Sequence, residues 1–148
     1  MVDIDELKGN YLSKYGAEPC SEAEFKRIES ALSVKLPDDF KRISMFYSGG
    51  LLGGISHHEI ASKGEAATIV EETLRIRAAI GIDRRFVVLA EPSGSVIVLN
   101  VSGKPSVVWC DAVDARNINS FDFSAQPDVW DSYAAFFSYL LEKEESEP

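Results

Sequence analysis

Apolar residues recur three or four positions apart through the first eighty residues, and the pattern then changes to dense β-branched runs. Ile4, Leu7, Tyr11 and Leu12 share one side of a helix predicted over about residues 3–16, with Gly16 near its end. Ser21 followed by Glu24 reads as a capping box opening a second helix, with Phe25, Ile28, Ala31 and Leu32 as its apolar stripe. Leu36–Tyr47 reads as a third. Pro37 lacks the N–H that a first turn leaves unsatisfied, and Asp38 and Asp39 face the positive end of the dipole. Phe40, Ile43, Phe46 and Tyr47 make its stripe, and Gly49 or Gly50 supplies a left-handed stop. The short link at 33–35 makes the second and third helices neighbours.

Ser48–Gly54 then reads as a glycine-rich loop with Leu51 and Leu52 tucked against the domain. Ile55–Ile60 is a short strand. Ala66–Ile80 is a helix through Ile69, Val70, Thr73, Leu74, Arg77 and Ile80, ended by Gly81. Phe86–Ala90, Ser95–Val101 and Ser106–Asp111 read as strands joined by turns at Pro92–Gly94 and Gly103–Pro105, which makes an antiparallel meander. The middle strand is apolar on both sides, Val96 and Val98 one way and Ile97, Leu99 and Val101 the other, so both faces of the sheet are covered. Residues 117–124 suggest an irregular edge strand. Pro127-Asp128 begins a last helix with Trp130, Tyr133, Phe137, Leu140 and Leu141 along one side, and residues 142–148 form an acidic tail. The order implies an α+β fold: N-terminal helices packed on a mainly antiparallel meander, with a C-terminal closing helix. The 148 residues are expected to form a single domain, with its core at about 20–141.

Charge narrows the function. Residues 1–85 hold fourteen acids and twelve bases, whereas residues 86–148 hold ten acids and three bases. Nucleic-acid binding usually needs the opposite sign; a negative surface either steers association with a basic protein or only keeps the protein soluble. No apolar run reaches the roughly 18 residues that span a membrane, and the acidic N-terminus is unlike a secretory signal, so cytoplasmic residence is the expectation.

Candidate chemistry is sparse. His57 and His58 are the only histidines, and as neighbours on a strand they point to opposite faces, which makes a shared metal awkward. A surface or partly buried pair is one reading, and a metal or acid–base role the other. The double-glycine loop follows a helix and lacks the lysine and hydroxyl residue of a phosphate-binding loop. Cys20 and Cys110, ninety positions apart, read as buried or semi-buried free thiols. Asp111, Asp114, Asp122, Asp128 and Asp131 read either as turn and cap residues or as an acidic contact surface. No metal, cofactor or catalytic residue is expected.

Several of these stretches, taken in order, resemble the SUKH superfamily and its Smi/Knr-type domains. They are Glu22–Leu32 with Glu29, Leu36-Pro37-Asp38-Asp39-Phe40, Tyr47-Ser48-Gly49-Gly50, the strands at 86–90, 96–100 and 107–111 with Gly94 between the first two, and Ser132–Leu141. Ser48 stands where the family often has asparagine, and the stretch between Gly54 and Phe86 has no alignable feature. The resemblance implies an α+β fold and, for many bacterial members, an immunity function: binding a toxin, often a nuclease, rather than catalysis. A general protein-interaction module of the same fold is the alternative, and a small hydrolase a third. The residues expected to meet a partner are Asp38, Asp39, Leu51, Leu52, Asp111, Asp114, Asp122 and Asp128. The expected partner is a cognate toxin, with a monomer or a weak dimer as the oligomeric state.

Overall fold

The computed structural model describes residues 2–62 and 67–146. The chain runs α1 (Ile4–Leu12), α2 (Glu22–Leu32), α3 (Asp38–Ser44), β1 (Gly50–Leu52), β2 (Ile55–His57), α4 (Ile69–Ile80), β3 (Phe86–Ala90), β4 (Ser95–Asn100) and β5 (Val107–Asp111). A 3₁₀ helix (Ala112–Ser120), β6 (Asp128–Trp130) and α5 (Tyr133–Ser146) follow. The strands form one sheet in sequence order, and every neighbouring pair is antiparallel. The α+β class, the meander and the C-terminal helix are as the sequence predicts.

Local chemistry sets the helix starts. The Ser21 hydroxyl accepts from the Glu24 N–H at 3.2 Å, but the returning half of the box is replaced by a Glu24–Arg27 ion pair. Thr68 and Glu71 form a complete capping box ahead of α4, and Gly81 ends that helix in the left-handed region. Ala66, where the sequence reading starts this helix, lies outside the described residues. Pro37 sits just before α3 in an extended conformation, one position earlier than its predicted place. The Glu29 carboxylate accepts from the Leu36 N–H at 2.8 Å and pairs with Lys41 at 3.4 Å, so α2 fastens the entry to α3.

After α3 the glycines do different work from a helix stop. Gly49 has φ +102°, and a Cβ there would lie 2.4 Å from the His58 carbonyl oxygen. Gly50–Leu52 is a strand, not loop. It pairs with β2 across Gly53-Gly54, whose φ values of +62° and +74° meet the positive-φ demand of a two-residue hairpin turn.

β2 meets β3 only at His57 opposite Ala90. Beyond that point the Val88 N–H is donated to Thr73 Oγ1 at 2.8 Å, so α4 runs beside β3 where a strand would otherwise continue. The sheet's two faces then bury separate clusters. Ile97, Leu99, Val87, Leu89 and Val107 pack under α1, α2, α3 and α5. Val88, Val96, Val98, Val108 and Cys110 face the other way, beneath α4 and the 3₁₀ helix. The division of β4 side chains is the one the alternation predicts.

Two late elements differ from expectation. Residues 112–120 wind as a 3₁₀ helix because Ala115 and Ile118, three positions apart, eclipse on one side of such a helix and bury together. The edge strand is β6, and α5 starts only at Tyr133, where Ser132 Oγ accepts from the Ala135 N–H at 3.0 Å. Trp130 still packs on Phe136, with ring centroids 4.8 Å apart, but it does so from the strand. Glu144, near the end of α5, accepts from the Tyr15 hydroxyl at 2.5 Å and from the Gly53 N–H at 3.0 Å.

The two glycines offer a controlled comparison, because a Cβ on Gly50 meets nothing within 4 Å although its φ is +100°. Gly50→Ala is expected to cost about 1–2 kcal/mol of backbone strain. Gly49→Ala adds the clash with the His58 carbonyl and is expected to cost more than about 3 kcal/mol. Urea denaturation of the two variants measures the difference.

Candidate protein-binding surface

The eight expected contact positions separate by what their side chains already do. Asp39 is engaged: Oδ1 accepts from the Phe40 N–H at 2.9 Å, and Oδ2 accepts from the Ala134 N–H at 2.9 Å, which caps α5 from α3. Asp114 is buried and accepts from the Ser124 N–H (2.9 Å), the Ser124 hydroxyl (2.7 Å) and the Ala125 N–H (3.3 Å). The Ser124 N–H foremost holds its carboxyl below the usual carboxylate range. Leu52 lies in the core while Leu51, its neighbour on β1, is 72% exposed, because successive side chains on a strand point to opposite faces.

Asp38, Asp111, Asp122 and Asp128 are exposed. The last three flank three of the larger exposed apolar side chains, Val113, Phe121 and Val129. All six belong to one stretch from the end of β5 to β6. Two contacts draw that stretch together: Asp128 pairs with Trp109 across β5 and β6, and Asp114 ties the chain at Ser124 back to the 3₁₀ helix. Asp111 and Asp128 thus stand at the β5–β6 edge, whereas Phe121, beside Asp122, packs on Phe86 of β3 with ring centroids 6.2 Å apart.

The other face of the sheet carries a cleft that the sequence reading did not single out. Its volume is about 270 Å³. Val96 and Val98 of β4 form its floor, Ile76 and Ile80 of α4 one wall, and Ala115 and Ile118 of the 3₁₀ helix the other. Val96, Val98, Ala115 and Ile118 are buried, while Ile76 and Ile80 of α4, which stands at the edge of β3, keep partial exposure. One end holds a charged network. Arg75 Nη2 donates to Glu91 Oε1 at 2.5 Å, Arg75 Nε donates to Glu72 Oε1 at 2.8 Å, and His58 Nε2 lies 2.9 Å from Glu91 Oε2. Burial pushes the Glu91 carboxyl up, but Arg75 and then His58 outweigh it and hold the group below the usual range. The signals in the sequence were the apolar Ile76 and Ile80 on α4 and the carboxylate opening the Glu91-Pro92 turn.

The two histidines do face apart. His57 is buried against the rings of Tyr47 and Phe136, with Nε2 3.3 Å from the Leu52 carbonyl oxygen. Burial drives its pKa down to about 4. Donor atoms of His58, Glu72 and Glu91 lie within 4.8 Å of one another, a spacing a cation can use, and Arg75 already places its guanidinium between the two carboxylates. Cys20 and Cys110 are both buried free thiols, as expected. Burial, reinforced by Asp114 and Asp111, pushes the Cys110 thiol up to about 11, which keeps it protonated and a poor nucleophile. Among the described residues no helix is long and apolar enough to cross a membrane.

This arrangement defines an α+β domain with exposed carboxylate and apolar surface. The SMI1 / KNR4 family (SUKH-1) matches residues 19–139, and the chain belongs to that family. The matched span starts after α1 and ends inside α5, so it takes in the whole sheet. No curated protein sequence matches the chain at a significant level.

Two measurements follow from these placements. Asp39→Ala is expected to cost about 1–2 kcal/mol by uncapping α5, and Asp38→Ala less than about 0.5 kcal/mol; chemical denaturation separates them. For His57 the folded pKa of about 4 lies below the ordinary 6.5. Between those values only the unfolded chain takes up the proton, so the His57 contribution to stability is complete above about pH 6.5 and falls as pH drops toward 4. The loss is about 3 kcal/mol. Unfolding free energies of wild type and His57→Gln, compared across that window, should converge toward the acid end.

Proposed function

We propose that the chain is a non-enzymatic immunity-type protein that binds and neutralises a cognate toxin, a basic nuclease domain, in the bacterial cytoplasm. Membership of the SMI1 / KNR4 (SUKH-1) family carries this reading. The charge distribution supports it, since residues 86–148 hold ten acids against three bases. Exposed Asp111, Asp122 and Asp128, each within two positions of an exposed apolar side chain (Val113, Phe121 and Val129), combine long-range attraction for a cationic partner with apolar area to bury on contact. The chemistry of the interior points the same way: His57 is packed among aromatic rings and Cys110 is held as a thiol.

Co-expression with the toxin encoded beside its gene tests the proposal: growth is expected to be restored, and failure to rescue overturns it. In the purified pair, Asp111→Asn, Asp122→Asn and Asp128→Asn combined should slow association about tenfold at low salt and flatten its salt dependence, with little change in unfolding free energy.

A further inference from the structure

The geometry points to a specific use for the cleft between α4 and the 3₁₀ helix: it is a docking slot for a segment of a basic protein partner in which one large apolar side chain stands next to a lysine or arginine. The partner's identity rests on the toxin-binding reading; the chemistry of the slot does not.

Size comes first. At about 270 Å³ the cleft is smaller than the roughly 300–1,000 Å³ of a typical small-molecule pocket, and it suits a single inserted side chain. Its floor and walls are apolar, through Val96, Val98, Ile76, Ile80, Ala115 and Ile118. Ile76 and Ile80 keep partial exposure although they lie on the inward side of α4, so the fold leaves this stripe incompletely covered. An apolar slot that loses its water on contact is where binding energy concentrates in protein interfaces.

Charge selects the neighbour. Glu91 and Arg75 both line the cleft, and Glu72 stands one helical turn before Ile76 at the same end. The side chains of Glu72 and Glu91 are 19% and 26% exposed, whereas that of Arg75 is 51% exposed. The two partly desolvated carboxylates share the Arg75 guanidinium, which is itself half in solvent, and Glu91 Oε2 also meets His58 Nε2. A lysine or arginine beside the inserted side chain takes the place of the Arg75 guanidinium, which turns outward into water. An acidic residue there meets both carboxylates and is rejected.

The slot is tested with the whole protein and two capped dipeptides, N-acetyl-Phe-Arg-amide and N-acetyl-Phe-Glu-amide, by following the methyl resonances of Ile76, Ile80, Val96 and Val98. The arginine peptide is expected to shift them saturably, with the glutamate peptide at least about tenfold weaker. Glu91→Gln should shrink that preference. Ala79→Trp, which fills the cleft from an exposed position, should abolish binding of both peptides without lowering the melting temperature. Absence of shifts at these methyls, or equal affinity for the two peptides, overturns the proposal. With the toxin, reduced capture by Ala79→Trp supports the slot. Undiminished capture by that variant overturns the slot and leaves the immunity reading intact. A wild-type chain that binds the arginine peptide in the slot yet neutralises no toxin supports the slot and removes the immunity reading.

Discussion

The amide of Val88 needs a hydrogen-bond partner, and the way that need is met shapes the rest of the molecule. The chain makes its last bond to β3 from the His58 N–H to the Leu89 carbonyl at 2.9 Å and then turns away, so the buried Val88 N–H of β3 has no strand opposite it. Leaving such a group unpaired costs about 1–3 kcal/mol. The Thr73 hydroxyl accepts the bond at 2.8 Å and brings α4 to the edge of β3. Backbone bonds hold the chain between β2 and α4, among them Glu59 N–H to the Ala67 carbonyl, Ile60 N–H to the Ser48 carbonyl and Ile69 N–H to the Glu59 carbonyl, each 2.9 Å. Because α4 stands at an edge, its apolar stripe meets the sheet obliquely. Thr73 and Ile69 are buried, while Ile76 and Ile80 keep partial exposure above β4.

The parts of the fold legible in the sequence are those whose signal is local. β3, β4 and β5 announce themselves through β-branched runs apolar on both sides, and the turns between them through glycine and proline. The family resemblance is likewise carried by short ordered stretches. β1 was hidden because its strand character comes from pairing across Gly53-Gly54, and glycine-rich sequence reads as loop. The 3₁₀ helix was hidden because Ile118, Phe121 and Phe123 also fit an irregular strand. Trp130 and Tyr133, three positions apart, mimic helical spacing, although the first pairs in β6 and only the second belongs to α5.

Which of the expected contact residues are free was legible only in outline, for a different reason. A carboxylate's availability depends on partners far along the chain: Asp39 is consumed by Ala134, ninety-five positions away, and Asp114 by Ser124, ten away. The cleft is assembled from residues between Arg75 and Ile118 on three elements, with no motif linking them. The opposite placement of His57 and His58 was readable, since alternation on a strand is a local rule. That His58 would meet Glu91, thirty-three positions on, was not.

The unequal cover on the two faces of the sheet has a consequence for how such a protein can change. On the helix-rich face, Tyr11, Phe46, Tyr47 and Phe137 interlock with ring centroids 5.2–6.0 Å apart, so altering one demands a compensating change in several. Around the cleft Ile76 and Ile80 keep partial exposure, and a methyl group gained or lost there reshapes a recess without disturbing that aromatic lattice. The proposed slot thereby keeps selectivity apart from stability on one small sheet. A lineage under pressure to recognise a new counterpart can rewrite the thinly covered side while the thickly covered side preserves the fold.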